Sequence, residues 1–195
     1  MVTIKKSHFQ EEEPILEGFL SNFRFNKIIK YISENSKVLD MGCGYNCRFL
    51  RKIEERIACG VGIDVSVSKE DFGSKIKLVN CDLNRMLPFE NGEFDVVVSL
   101  ANLEHLENPT KNAKEIFRVL KPGGLLLLTS PSIYAKPVLE FLAFKLKLVN
   151  TEEIMDHKNY FNKSVLFDIL KKAGFSYIKH NYFQLFMNNF IYARK

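Results

Sequence analysis

Asp40, Asp64 and Asp82 each stand at or just after the end of a short apolar run, and Asp40 is followed by Gly42 and Gly44. Glycine admits positive φ, and its missing side chain lets a ligand approach the backbone closely. In a sheet whose parallel strands are joined by helices, such a turn falls at the switch point where nucleotide-like ligands bind. Asp64 follows the glycines by about twenty residues, the spacing at which a carboxylate can take both hydroxyls of a ribose. Asp82 could accept from the amino group of an adenine. Gly-x-Gly alone is a common pattern, and Asp64 or Asp82 taken singly reads better as a surface carboxylate closing a turn. Together with the glycines they point to a ligand. A dinucleotide fingerprint needs a third glycine three positions after Gly44, where Cys47 stands, and this counts against a nicotinamide or flavin enzyme.

Alternating elements must hold these residues. Phe9, Ile15, Leu16, Phe19, Leu20, Phe23, Ile28, Ile29 and Ile32 recur at helical spacing over residues 9–33, and Gly18 with Phe23-Arg24-Phe25 predicts two short helices there. Strands are predicted over 37–40, 57–63, 76–80, 94–99 and 125–129, with helices over 45–56 and 110–120. The β-branched run Val96-Val97-Val98 suits burial on both faces. Lys121-Pro122-Gly123-Gly124 reads as a structural turn from helix to strand. A helix over 164–173, closed by Gly174, precedes two strands near 175–184 and 188–194. The fold class is therefore α/β: a doubly wound, mostly parallel seven-stranded sheet with helices on both faces and an antiparallel last strand. The chain reads as one domain over 1–195, with N-terminal cap helices in 1–35 and an insertion at 131–162 that lies over the carboxyl edge of the sheet.

Composition narrows the function classes. The chain has 195 residues, 46% hydrophobic and 26% charged, with seventeen Phe and no Trp. Its net charge of +5 comes from residues spread along the chain, and without a dense basic run nucleic-acid binding is not indicated. Cys43, Cys47, Cys59 and Cys81 lack the spacing of a zinc site, so no metal is expected and the thiols are read as reduced and buried. Glu11-Glu12-Glu13 interrupts the N-terminus and no apolar run is long enough to span a bilayer, which predicts a cytoplasmic protein.

Val38-Leu39-Asp40-Met41-Gly42-Cys43-Gly44, Gly62-Ile63-Asp64, Cys81-Asp82-Leu83, Leu87-Pro88-Phe89, Phe94-Asp95-Val96-Val97, Leu103-Glu104-His105-Leu106 and Leu120-Lys121-Pro122-Gly123-Gly124 occur in that order. This series resembles a class I S-adenosylmethionine-dependent methyltransferase of the small-molecule branch, over roughly residues 36–130. The resemblance implies S-adenosylmethionine as cofactor. It places Asp40, Gly42 and Gly44 on the methionine part, Asp64 with Val65 on the ribose, Asp82 with Leu83 on the adenine, and Leu100 with Ala101 near the sulfonium. Many relatives carry a further glycine where this chain has Asn46; asparagine tolerates left-handed angles, so the turn is expected to survive.

Methyl transfer to a hydroxyl or ammonium also needs a base. His105, just beyond the fourth strand, is one candidate, although the resemblance gives it a cofactor-side role. His157, in Asp156-His157-Lys158, is the other, against a reading in which it organises its loop. The acceptor would be a small molecule or a lipid- or sugar-linked one. The apolar and basic 131–162 segment, with Phe141, Phe144, Lys145 and Lys147, could cover that acceptor, touch a membrane surface peripherally, or join two subunits of a homodimer. Two rival readings stand beside the enzyme: a non-catalytic methyltransferase-like binding protein, and an NAD-dependent oxidoreductase.

Overall fold

The computed structural model describes residues 15–144, 155–156 and 158–195. Its strands are β1 (Lys37–Met41), β2 (Cys59–Asp64), β3 (Ile76–Asn80), β4 (Phe94–Leu100), β5 (Leu120–Pro131), β6 (Tyr177–Phe183) and β7 (Asn188–Arg194). The helices among the described residues are α1 (Ile15–Ile29), α2 (Arg48–Ile53), α3 (Pro109–Val119), α4 (Ala135–Phe144) and α5 (Lys163–Ala173). The strands make one sheet in the order β3-β2-β1-β4-β5-β7-β6. The pairs from β3 through β5 are parallel, and β7 runs antiparallel to both neighbours. The chain reverses direction from β1 to β3 on one side and to β4 on the other, which creates a switch point at the carboxyl end of β1.

Both faces of the sheet are buried. Leu39, Met41, Val97, Leu126 and Leu128 point to a core shared with Ile116 of α3 and Leu166 and Leu170 of α5. Val38, Val96, Val98 and Leu127 point to a second core with Ile28 of α1 and Leu50 and Ile53 of α2. Alternation along β1 therefore directs Asp40 to the same face as Val38, at a position where the neighbouring strands carry apolar residues.

Local chemistry sets the helix ends. Asn108 accepts from the N–H of Lys111 at 3.0 Å with Pro109 opening α3, and Asn162 accepts from the N–H of Val165 at 2.9 Å at the start of α5. Gly174, at φ 112°, closes α5 as its spacing predicts.

Three expectations are corrected. Residues 15–29 form one helix instead of parts of two, because a single glycine costs only about 1 kcal/mol in a helix and the Ser21 hydroxyl bonds the Gly18 carbonyl within it. Residues 45–47 precede α2 instead of belonging to it, and a single 3₁₀ turn, Glu54–Arg56, completes it. Lys121-Pro122-Gly123-Gly124 is a bulge inside β5: Phe94 pairs with Leu120, and the register resumes only at Val96 with Leu125.

Gly62 lies beside Asp40 in the sheet register. A Cβ there would come within 2.8 Å of Leu78 Cδ2 and 2.9 Å of both Cys43 and Cys47 Sγ. The missing side chain is replaced by two thiols from the glycine turn, packed down onto β2. Gly62→Ala is expected to destabilise the fold by about 1–3 kcal/mol through overpacking, read by urea denaturation. A loss under about 0.5 kcal/mol, the scatter of ordinary surface changes, would show that the thiols move aside freely.

Candidate functional site

The carboxyl ends of β1, β2 and β4 open into a cleft of about 880 Å³. Asp40, Gly42, Gly44, Asp64, Val65, Leu83, Leu100, Ala101 and His105 all line it. Leaving β1, the chain turns through Gly42 at φ 75° and Gly44 at φ 67°. The N–H groups of Gly42 and Cys43 donate to the Ile63 carbonyl at 2.9 and 3.2 Å, fastening the turn to the end of β2. A Cβ on Gly42 would strike the Asn102 side chain at 2.7 Å, whereas one on Gly44 would meet nothing within 4 Å. Gly42 is thus required by close approach as well as by φ, and Gly44 by φ and by open access from the cleft. Asn46 does not take the left-handed angle; Cys47 does, at φ 48°. The turn survives the missing glycine by moving the strained angle one residue on.

The two carboxyl groups of the cleft differ in how they are held. Asp64 accepts from the N–H of Gly44 at 3.0 Å through Oδ2 and from that of Ser66 at 3.3 Å through Oδ1. Burial raises the pKa of Asp64, against the opposing pull of those N–H groups, that of Val65 and nearby His105. Asp40 is 2% exposed and its Oδ2 has no hydrogen-bond partner among the described residues. Burial pushes its pKa up to about 8, and the charge of Asp64 adds to this. Two carboxyl groups that resist ionising together favour a ligand that brings positive charge and donors. The Cys43 thiol is also shifted upward, by its hydrogen bond with Cys47 and by burial, so it is a packing group and not a ready nucleophile.

Beyond β4, Ala101 is left-handed at φ 50° and its N–H donates to the Thr129 carbonyl at 3.0 Å. This kink turns Asn102 under Gly42 and begins the single 3₁₀ turn Leu103–His105. The carbonyl of Glu104 accepts the N–H groups of Lys158 and Asn159 at 3.0 and 3.1 Å. The Asn159 amide also donates to the Leu106 carbonyl at 3.1 Å. His105 Nδ1 lies 3.1 Å from Asp156 Oδ2. A remote stretch of chain is thereby bound to the rim of the cleft, and Asp156 and Lys158 join its lining. His157 lies outside the described residues.

Asp82 is not among the lining residues; its neighbours Leu83 and Asn84 are. Its carboxylate accepts from the N–H of Asn84 at 3.0 Å and from Arg85 Nε at 3.2 Å, and the bond from Asn84 first of all lowers its pKa. It shapes the turn that presents Leu83 and Asn84. The cleft also contains Ser21, Arg24 and Phe25 from α1 and Arg48 and Phe49 from α2, which no motif announced. Among them only the helical spacing of Ser21, Arg24 and Phe25 hinted at a shared face.

Comparison with known proteins places this arrangement. A family model described as a methyltransferase domain matches residues 16–180. A sterol 4-C-methyltransferase of Caenorhabditis elegans is 35% identical over 103 residues, 48% of this chain and 30% of that protein. A demethylmenaquinone methyltransferase of Leptospira interrogans is 26% identical over 189 residues, 89% of this chain and 74% of that protein. The chain thus spans less than a third of the first relative's length and about three quarters of the second's. A solved S-adenosylmethionine-dependent methyltransferase from Archaeoglobus fulgidus superposes with a TM-score of 0.68 at 20% identity, over 91% of this chain and 94% of that one. Among the described residues no helix is long and apolar enough to cross a membrane.

Proposed function

Since this chain belongs to the methyltransferase domain family, we propose that it binds S-adenosylmethionine in the cleft at the end of β1 and methylates a small-molecule acceptor or a lipid- or sugar-linked one. The observation that carries the reading is the pair of cleft carboxyls, Asp64 clamped to the Gly44 N–H and Asp40 buried with an oxygen left over. The volume of about 880 Å³ suits a ligand of this size together with an acceptor.

In this reading Asp64, beside Val65, takes the ribose hydroxyls. Asp40, with the backbone of Gly42 and Gly44, takes the ammonium and sulfonium end. Leu83 and Asn84 flank the adenine, with Asp82 holding their turn, and Leu100 and Ala101 bound the methyl side. The bound cofactor supplies an electrophilic methyl group. The chain's own work is to orient the acceptor behind that methyl and keep water out.

A hydroxyl or ammonium acceptor must lose a proton, for which His105 and His157 are the candidates. The nearness of His105 to Asp64, whose ionised form it favours, supports a cofactor-side role for His105 and leaves His157 the better base. Phe25, Tyr45 and Phe49 in the lining support an apolar acceptor, as do relatives named for sterol and demethylmenaquinone substrates.

Titration calorimetry tests the reading. S-adenosylmethionine and S-adenosylhomocysteine are expected to bind in the micromolar range, and NAD not at all. Binding of NAD without either methionine compound would overturn it in favour of an oxidoreductase. Cofactor binding with no turnover on any sterol-, quinone- or sugar-class acceptor would point to the non-catalytic alternative.

A further inference from the structure

Eight of the fourteen large apolar side chains that are exposed among the described residues sit on three neighbouring elements: α1, the segment running into α4, and the turn between β6 and β7. At the tip of that turn Leu185 is 93% exposed and Phe186 63%. On α1, Phe19 and Phe23 stack edge to face at 4.9 Å on the side opposite the cleft-lining Ser21 and Arg24. On α4, Val138 and Phe141 are exposed.

Hydrogen bonds join these elements into one surface. Gln184 Nε2 donates to the Leu20 carbonyl of α1 at 3.3 Å. Ser132 Oγ, just before α4, donates to the Phe186 carbonyl at 2.6 Å. The surface lies at the carboxyl end of β5, the edge of the sheet on which the cleft opens.

The turn itself is costly. Gln184, Leu185 and Phe186 are all left-handed, at φ 50°, 55° and 68°, where glycine or asparagine would serve chain reversal without strain. Strain held in place by surrounding bonds, displaying apolar residues outward, calls for a functional reason. The charges nearby favour one occupant. Lys27, Lys30 and Lys136 outnumber Glu17 and Glu140 on α1, its following turn and α4, Arg24 being turned to the cleft, and residues 183–189 contain no acidic residue. Lys27 sits beside the turn, its Nζ 5.8 Å from the Phe183 ring.

We infer that this edge docks on an anionic phospholipid surface, with Leu185 and Phe186 entering the acyl boundary and the cations facing the headgroups. A side chain standing almost wholly clear of the protein suits insertion into lipid better than seating in a flat protein interface. The inference rests on the exposed edge and holds whether or not the proposed cofactor binds.

The test is sedimentation of the full chain with vesicles of phosphatidylcholine alone or with about a third phosphatidylglycerol, at low salt. The wild type is expected to pellet with the anionic vesicles and to be released by salt. L185S/F186S and, separately, F19S/F23S should each reduce the bound fraction about tenfold or more, with unchanged melting temperature for at least one pair. Wild-type protein that stays in the supernatant with anionic vesicles would overturn the inference. So would a dimer in sedimentation velocity that both double variants abolish, since the edge would then join two copies of the chain. Calorimetry with S-adenosylmethionine on the same variants should be unaffected, so a failed docking test leaves the cofactor reading standing.

Discussion

Asp64→Ala is expected to weaken S-adenosylmethionine binding by roughly 100-fold or more, about 3 kcal/mol, as the loss of two hydrogen bonds to a charged acceptor. Its carboxylate joins the end of β2 to the glycine turn by accepting from the Gly44 N–H. Removing it takes away the proposed ribose clamp and the anchor of the turn together. The folded chain should not suffer in parallel. Burial raises the pKa of Asp64, so the ionised carboxylate is itself a cost to the fold, and its removal should leave the melting temperature level or higher. Asp64→Asn keeps one acceptor oxygen and should fall between the two. Calorimetry on all three proteins checks the order, and an alanine variant within threefold of wild type would remove Asp64 from the cofactor site.

Asp40→Asn should separate stability from binding still further. Burial holds the native carboxyl up at about 8, against 3.8 for an ordinary aspartate. Between those limits the folded chain keeps a proton that the unfolded chain has released, so stability falls as pH rises through that window and levels off above it. Asparagine does not titrate. The variant should therefore match wild type near pH 4 and exceed it progressively toward pH 8, by an amount bounded at about 5 kcal/mol from a shift of about four pKa units. Water entry and relaxation will lower that bound. Denaturant melts across the pH range check this, and parallel curves would show that Asp40 is not protonated in the folded state.

The same residue predicts a binding signature. At pH 7 a cationic ligand should drive Asp40 to ionise, releasing close to one proton on association. Heats measured in buffers of different ionisation enthalpy would show that release in the wild type and its absence in Asp40→Asn.

The parts of this molecule visible in the sequence are those whose causes are local. Val38-Leu39-Asp40 followed by two glycines announces a buried strand and a left-handed turn because apolar burial and positive φ leave few other residues suitable. Asn162 and Gly174 announce the ends of α5 for the same reason. The failures lie where distant segments decide. Arg24 and Arg48 face the cleft only because α1 and α2 cross the same side of the sheet, and Asp156 reaches His105 across 51 residues of sequence. The Cys47 angle and the bulge at Lys121-Pro122-Gly123-Gly124 depend on register, since one extra residue can be absorbed at several places along a turn or strand. Gly18 carries a helix-breaking tendency that packing of Phe25 and Ile28 against the sheet outweighs.

Position 40 has an evolutionary consequence. In the sheet it stands next to Val98 and Gly62, a site where an uncharged or apolar side chain would improve the fold. With the carboxylate holding the proposed cofactor, a lineage under selection for methyl transfer would keep it against that pull, whereas one retained only as a scaffold would be free to relax it. Among descendants of this chain, the residue at position 40 should therefore mark which copies still turn over substrate and which have retired.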